Sequence, residues 1–219
     1  KEMQRARGTV APSLQGSELL SLDQLGPCAA HQEIWTHAGK YTNKYDVPSV
    51  ELGCIWDGKP GLLARSAHQH SGYKWHAWID VCMGHGVIPF PHGSAPWPSS
   101  QRLRQLPEDM VTVSYSGQNN CEDCREGWTY CHCIAGTAFV VPDALVDDFA
   151  SNFSQKVDTC LASFDQQNVG AYVCLSDQVI LTKLMLDTPE LFFFSSFGYG
   201  AVATSFLTGP GTPDVSRGL

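Results

Sequence analysis

An α/β fold is predicted for this chain, because strand-like segments alternate along it with segments of helical period. The stretches YKWHAWID, MVTVSYSG and CHCIAGTAFVVP alternate or are continuously apolar, as buried strands are. Between and after them, apolar residues recur every three or four positions, as on helices packed against a sheet. With 219 residues, 43% hydrophobic and 16% charged, the chain is long and apolar enough to build a core of its own.

The chain divides into an N-terminal arm, residues 1–40, and an α/β domain, residues 41–219. The arm has few periodic apolar positions beyond the short segment SELLSLDQL, whereas the packed pattern begins near residue 45. The stretch VPSVELGCIWDGKPGLLARSAHQHSG suits one or two helices, with a break at Asp57-Gly58-Lys59-Pro60. Pro142-Asp143 opens a further helix of about five turns, and Leu175–Leu186 forms the next.

The charge pattern argues against nucleic acids and anionic membranes as partners. The formal net charge is −8 at pH 7, and Lys and Arg are not clustered anywhere. The segment LFFFSSFGYGAVATSFL is uncharged and about as long as a marginal membrane span. Its glycines and hydroxyl residues, with LTGPGTP where interfacial anchors belong, argue against a span. A small or neutral partner fits this composition better.

Nine cysteines are more than an ordinary cytosolic domain of this size carries, so an oxidising compartment or a metal site is implied. Cys121, Cys124, Cys131 and Cys133 have knuckle-like spacing, but the one-residue gap of the second pair fits tetrahedral zinc poorly. Disulfides that stabilise a loop insertion are favoured. The odd total leaves one thiol free or paired with another chain, and Asn152-Phe153-Ser154 is an N-glycosylation sequon.

Two blocks of sequence resemble the HtrL-like glycosyltransferases and related GT-A sugar transferases. KPGLLARSAHQHSGYKWHAWIDVCMGHG resembles their central strand segment, in which a helix beginning near a lysine leads to a strand ending in Trp-Ile-Asp. CIAGTAFVVPDALVDDFASNF, followed by LSDQVILTKLMLDTPELF, resembles their C-terminal half. The order and approximate spacing of both blocks match over roughly residues 45–200. The resemblance implies a GT-A-like mixed sheet flanked by helices.

The resemblance also implies a function: transfer of a sugar from a nucleotide sugar to a glycan or protein acceptor, with Mn²⁺ or Mg²⁺ as cofactor. The resemblance implies that Asp80 and His85 hold the metal ion. Asp177 is the base toward the acceptor hydroxyl or contacts the donor sugar, and Gln178 binds a sugar hydroxyl. The substrate-binding residues that it implies are Lys59, Trp78, Gly136 and Thr137.

Each of these residues also has a purely structural interpretation. Asp80 could be a turn carboxylate that caps the loop at Gly84–Gly86, and Asp177 or Ser176 could be the N-cap of a helix. Lys59 could be a solvated turn lysine, and Gly136 could allow close packing of strand on helix. His76 and His85, each taken alone, are typical of structural or surface histidines.

The resemblance is incomplete in two respects. The matching region is preceded by about 40 residues that do not resemble the usual nucleotide-binding βα unit, and Val81-Cys82-Met83 follows Asp80 where a small residue or a second acid is expected. Two alternatives therefore stay open beside the lumenal or secreted transferase. They are a non-catalytic, cysteine-rich interaction subunit, with a partner held by the arm or the unpaired cysteine, and a secreted cysteine-rich effector.

Overall fold

The computed structural model describes residues 21–80, 98–164, 170–198 and 201–202. They form a mixed α/β fold with one four-stranded sheet and flanking helices. The strands are β1 (Trp75–Ile79), β2 (Val111–Tyr115), β3 (Ala138–Pro142) and β4 (Phe192–Phe197). The main helices are α4 (Val50–Gln69), α6 (Val146–Ala162) and α7 (Asp177–Asp187). Short helices are α1 (Gly26–Ala30), α2 (Glu33–Thr36), α3 (Ala38–Tyr41) and α5 (Ser100–Leu103).

The sheet is mixed, with strand order β1-β3-β2-β4. β3 pairs antiparallel with both β1 and β2, whereas β4 runs parallel to β2. In the β1–β3 register Trp75 lies opposite Pro142 and Ile79 opposite Ala138. The end of β1 therefore meets the start of β3, which brings Asp80 beside Gly136 and Thr137.

β3 is buried on both faces, as its continuous apolar sequence predicts. Because side chains alternate across a strand, Phe139 and Val141 join the large core beneath the helices, while Ala138 and Val140 join a smaller cluster on the other face. The smaller cluster includes Leu106. The strands and the α6 and α7 helices expected from the sequence are confirmed.

The expected break at Asp57-Gly58-Lys59-Pro60 is wrong, because α4 runs unbroken from Val50 to Gln69 with Pro60 inside it. All four of these residues are buried, and α4 packs against α6, β1 and residues 171–175. Tertiary packing of this helix therefore overrides the local cost of a proline, which is about 3 kcal/mol in a helix interior. Ser49 caps the helix by accepting a hydrogen bond from the Leu52 amide.

Four disulfides join eight of the nine cysteines: Cys28–Cys54, Cys121–Cys133, Cys124–Cys131 and Cys160–Cys174. The ninth, Cys82, lies outside the described residues. Cys28–Cys54 links the segment predicted as an arm to α4, and Ile34 of that segment is fully buried in the main core. The C-x-x-C and C-x-C cluster is thus a disulfide-rich loop insertion between β2 and β3, as favoured from the sequence.

α7 holds this insertion against the core through two side chains. Thr182 Oγ1 accepts hydrogen bonds from the amides of Cys133 and Ile134. The Lys183 ammonium donates to the carbonyls of Cys124 and Arg125 and lies over the Trp128 ring. The insertion is therefore fixed to the same helix whose first residue is Asp177.

Part of the uncharged segment 191–207 is the strand β4, which pairs with β2. Within the ranges that the structure describes, none of the helices has both the length and the apolar character needed to cross a bilayer. The rest of that segment lies outside the described residues, apart from Leu191, Gly198, Ala201 and Val202.

Candidate functional site

The ammonium group of Lys59 is the centre of a buried charge cluster. It donates to Asp177 Oδ2 at 2.6 Å, to Asp80 Oδ2 at 3.0 Å and to the Gly136 carbonyl oxygen at 3.0 Å. A lysine ammonium has three protons to donate, so all of them have an acceptor. We refer to Lys59, Asp80, Gly136 and Asp177 as the Lys59 cluster.

Four segments far apart in the sequence supply the cluster. Lys59 extends from the middle of α4, which packs against β1. Asp80 follows directly after β1, and its amide donates to the Thr137 carbonyl at 2.8 Å. Gly136 precedes β3, and Asp177 is the first residue of α7. The antiparallel β1–β3 pairing and the packing of two helices thus bring the four residues together.

Exposure within the cluster falls from Asp80 inward. The Asp80 side chain is 25% exposed, whereas those of Lys59 and Asp177 are 3% and 6% exposed. Asp80 Oδ1 accepts a hydrogen bond of 2.6 Å from Trp78 Nε1. Asp80 is therefore the carboxylate through which the cluster reaches the surface, and Trp78 and Lys59 fix its orientation.

The cluster stays charged despite its burial. Burial alone would lower the pKa of Lys59, but the charges of Asp177 and Asp80 and their hydrogen bonds outweigh burial and raise it. Burial raises the pKa of Asp177, and the ammonium of Lys59, 2.6 Å away, opposes that rise. Lys59 is therefore an ammonium that donates to both acids.

Asp57 is a second buried acid next to the cluster, and sequence reasoning missed it. It is 2% exposed, and neither carboxyl oxygen accepts a hydrogen bond from any group that the structure describes. Its pKa is raised well above the usual range, first by burial and then by the charge of Asp177, against the attraction of Lys59. A continuous helical period through Val50, Cys54 and Asp57 would have predicted an acid on the buried face.

The structure brings most of the residues predicted for the site to one place. Lys59 is a buried residue of α4, so it is not a solvated turn lysine. Trp78 and Thr137 contact Asp80, and Gln178 is half-buried beside Asp177. His85 lies outside the described residues. His76 lies away from the cluster, bonded to Asp143 at 2.8 Å.

The structure also bears on two of the structural alternatives. Ser176 is the N-cap of α7 by position, but its side chain makes no capping hydrogen bond, and Asp177 already lies within the helix. At Gly136, an added Cβ would lie 2.4 Å from Asp177 Oδ2, so this glycine allows the carboxylate to approach the backbone. The close packing at Gly136 is therefore part of the Lys59 cluster, because the group packed against this glycine is the Asp177 carboxylate.

The described residues do not by themselves provide a set of metal ligands. Throughout the described ranges, no three His, Cys, Asp or Glu side chains lie close enough together to hold a metal ion. Asp80 is a single carboxylate, and both of its oxygens already accept hydrogen bonds. The Mn²⁺ or Mg²⁺ implied by the resemblance stays a prediction, and no chemical step below depends on it.

Gly136→Ala is predicted to destabilise the protein by about 1–3 kcal/mol, because the new methyl group must displace the Asp177 carboxylate. Gly61→Ala in α4 is the matched control, since nothing lies within 4 Å of its added Cβ. This control is expected to be stabilising by up to ~1 kcal/mol through helix propensity. Urea unfolding measures both variants, and equal effects of the two would contradict the tight approach at Gly136.

Asp57→Asn is predicted to change how stability depends on pH. Because the folded-state pKa of Asp57 is raised, the wild type loses stability as pH rises above the unfolded value, by up to about 1.4 kcal/mol per pH unit. The variant lacks this loss, so its stability relative to wild type should increase from pH 4 upward. Asp109→Asn, at an exposed carboxylate, controls for the removed charge. A difference between Asp57→Asn and wild type that does not vary with pH would refute a proton held at Asp57.

Comparison with known proteins identifies no relative of this chain. No family model matches it, and neither a curated protein nor a solved structure matches it significantly. The resemblance to sugar transferases therefore gains no support and loses none.

Proposed function

We propose that this chain is a glycosyltransferase-like protein that transfers a sugar from a nucleotide-sugar donor to a glycan or protein acceptor. The observation that supports this most is the convergence of Lys59, Asp80, Gly136 and Asp177 on one ammonium group. These residues come from the segments that resemble sugar transferases. They meet where a strand ends, which is a usual place for ligand binding in α/β sheets.

Asp80 is the group that would meet the donor. Its side chain is 25% exposed, and each carboxylate oxygen has lone pairs beyond the one that Trp78 or Lys59 occupies. A carboxylate fixed from two sides accepts hydrogen bonds from sugar hydroxyls at a low entropic cost. The half-buried amide of Gln178 and the Trp78 ring supply further contacts on this side in our proposal.

Lys59 and Asp177 act in this proposal mainly as positioning residues. Transfer breaks the bond between the anomeric carbon and the diphosphate and forms a bond to the acceptor oxygen, whose proton has to leave. Asp177 is 6% exposed and bonded to Lys59. It can act as the base only if the acceptor hydroxyl passes the more exposed Asp80 and contacts the Asp177 carboxyl group. The role of Asp177 as the base stays a prediction. Its role as a positioning residue follows from its hydrogen bond to Lys59, which in turn fixes Asp80.

The charge of the cluster sets a condition for the donor. Asp80 is the exposed end of the cluster, and an acid there favours sugar hydroxyls or a cation over a bare diphosphate. Transfer assays therefore have to be run both with and without Mn²⁺. The four disulfides agree with an oxidising compartment, so we place the protein in the secretory pathway or outside the cell.

A second candidate function is a non-catalytic interaction subunit with the same architecture. The observation that favours it is the completeness of the cluster, because every proton of the Lys59 ammonium and both oxygens of Asp80 already have partners. Such a closed ion cluster can serve to fix one arrangement of the fold rather than to bind a ligand.

The test is release of nucleoside diphosphate by the purified chain from UDP- and GDP-sugars, with glycan acceptors, with and without Mn²⁺. Asp80→Asn is expected to lower the rate at least ~100-fold, the typical effect of losing one positioned polar contact in an active site. Asp148→Asn, at an exposed carboxylate of α6, should keep the wild-type rate. Melting temperatures of both variants monitor folding.

Two outcomes contradict the proposed transfer. One is equal activity of Asp80→Asn and the wild type, which would remove Asp80 from the site. The other is a wild-type protein that shows no turnover and whose melting temperature no nucleotide sugar raises, because a ligand that binds the folded state must stabilise it. The second outcome would favour the non-catalytic subunit.

A further inference from the structure

A concave surface lies at the opposite end of β1 from the Lys59 cluster. It is a hollow of about 380 Å³ between residues 72–75, Glu108 and residues 142–144. Trp75 begins β1 and Asp80 follows its last residue, so the two ends are ~17 Å apart at the usual rise per residue. The hollow, which we call the Tyr73 hollow, is therefore separate from the cluster.

The aromatic lining of the Tyr73 hollow is exposed to an unusual degree. Tyr73 is 67% exposed and is one of four large hydrophobic side chains that the described residues leave exposed. Trp75 is half-buried beside it. Aromatic rings beside a concave surface offer a flat apolar face to a ligand, while the tyrosine hydroxyl stays available for hydrogen bonds.

The charged groups that line the hollow are two carboxylates, which accept hydrogen bonds, and one ammonium, which donates them. Lys74 forms an ion pair with Glu108 at 2.5 Å, and its ammonium also lies over the Trp75 ring at 5.7 Å. The Asp143 carboxylate is hydrogen-bonded to His76 Nε2 at 2.8 Å, and its side chain is half exposed. The carboxylates of Glu108 and Asp143 remain accessible to a ligand.

This chemistry selects one class of ligand. An anionic ligand would meet two carboxylates against one lysine, and a cationic ligand would meet the Lys74 ammonium, which already pairs with Glu108 and lies over Trp75. A neutral ligand with many hydroxyls and an apolar face meets neither obstacle. Its hydroxyls can donate to Glu108 and Asp143, and its face can lie on Tyr73.

We propose that the Tyr73 hollow is a saccharide-binding subsite. If the chain transfers sugars as proposed above, the subsite holds a distant part of a glycan acceptor whose reacting end lies near Asp80. Only this purpose rests on the proposed function, because binding of a saccharide at the hollow requires no transfer.

The test is titration of the intact chain with neutral hexasaccharides, namely maltohexaose, cellohexaose, chitohexaose and mannohexaose, followed by calorimetry and by NMR. We expect at least one of them to bind and Tyr73→Ala to weaken that binding at least ~5-fold, as loss of an aromatic contact does. Tyr45→Ala is the matched control, because Tyr45 is an exposed tyrosine, 83% exposed, that does not line the hollow. This control should bind like wild type.

Three results would overturn the subsite: no binding of any of the four hexasaccharides, equal affinity of Tyr73→Ala and wild type, or binding lost in Asp80→Asn but kept in Tyr73→Ala. The last result would place the saccharide at the Lys59 cluster instead. Saccharide binding that is lost in Tyr73→Ala, together with a wild type that shows no turnover and that no nucleotide sugar stabilises, would refute the proposed transfer and leave the subsite standing. The two proposals can thus fail separately.

Discussion

The ammonium of Lys59 is the interaction on which the rest of this structure depends. It joins the end of β1, the approach to β3 and the first residue of α7 to the middle of α4. Burying one cation between two carboxylates costs desolvation of all three, and only direct contacts at 2.6–3.0 Å offset that cost. Removing Lys59 leaves Asp177 buried without its cation, and removing either acid leaves the ammonium with one acceptor fewer, so the four segments depend on one another.

The fold around the cluster serves to hold these contacts in place. β3 is buried on both faces and anchors β1 in register, which places Asp80 beside Gly136. α7 holds the disulfide-rich insertion through Thr182 and Lys183 and delivers Asp177 at its first residue. The disulfides restrict the unfolded chain and fix the segments around this core. The exposed part of the cluster, Asp80, is therefore a carboxylate on a rigid support, as ligand contacts require.

Much of the fold was predictable from local patterns, because strand alternation and helical periods report which faces are buried. β1, β2, β3, α6 and α7 were expected on this basis. The continuity of α4 was not, because Asp57-Gly58-Lys59-Pro60 has the composition of a turn and only tertiary packing keeps it helical. The same error made Lys59 look like a turn lysine and hid Asp57. Single residues were identified through the resemblance, whereas their ion pairs depend on distances that no sequence pattern encodes.

A double-mutant cycle between Lys59 and Asp177 tests the central claim most directly. Lys59→Met should cost about 3–5 kcal/mol in free energy of unfolding, because it leaves the buried Asp177 without its cation, whereas Asp177→Asn should cost less, because Asp80 still pairs with Lys59. The double variant should be more stable than the sum of the two losses predicts, by at least ~1.5 kcal/mol. If the two losses are simply additive, the ammonium of Lys59 does not hold the cluster together, and the account fails.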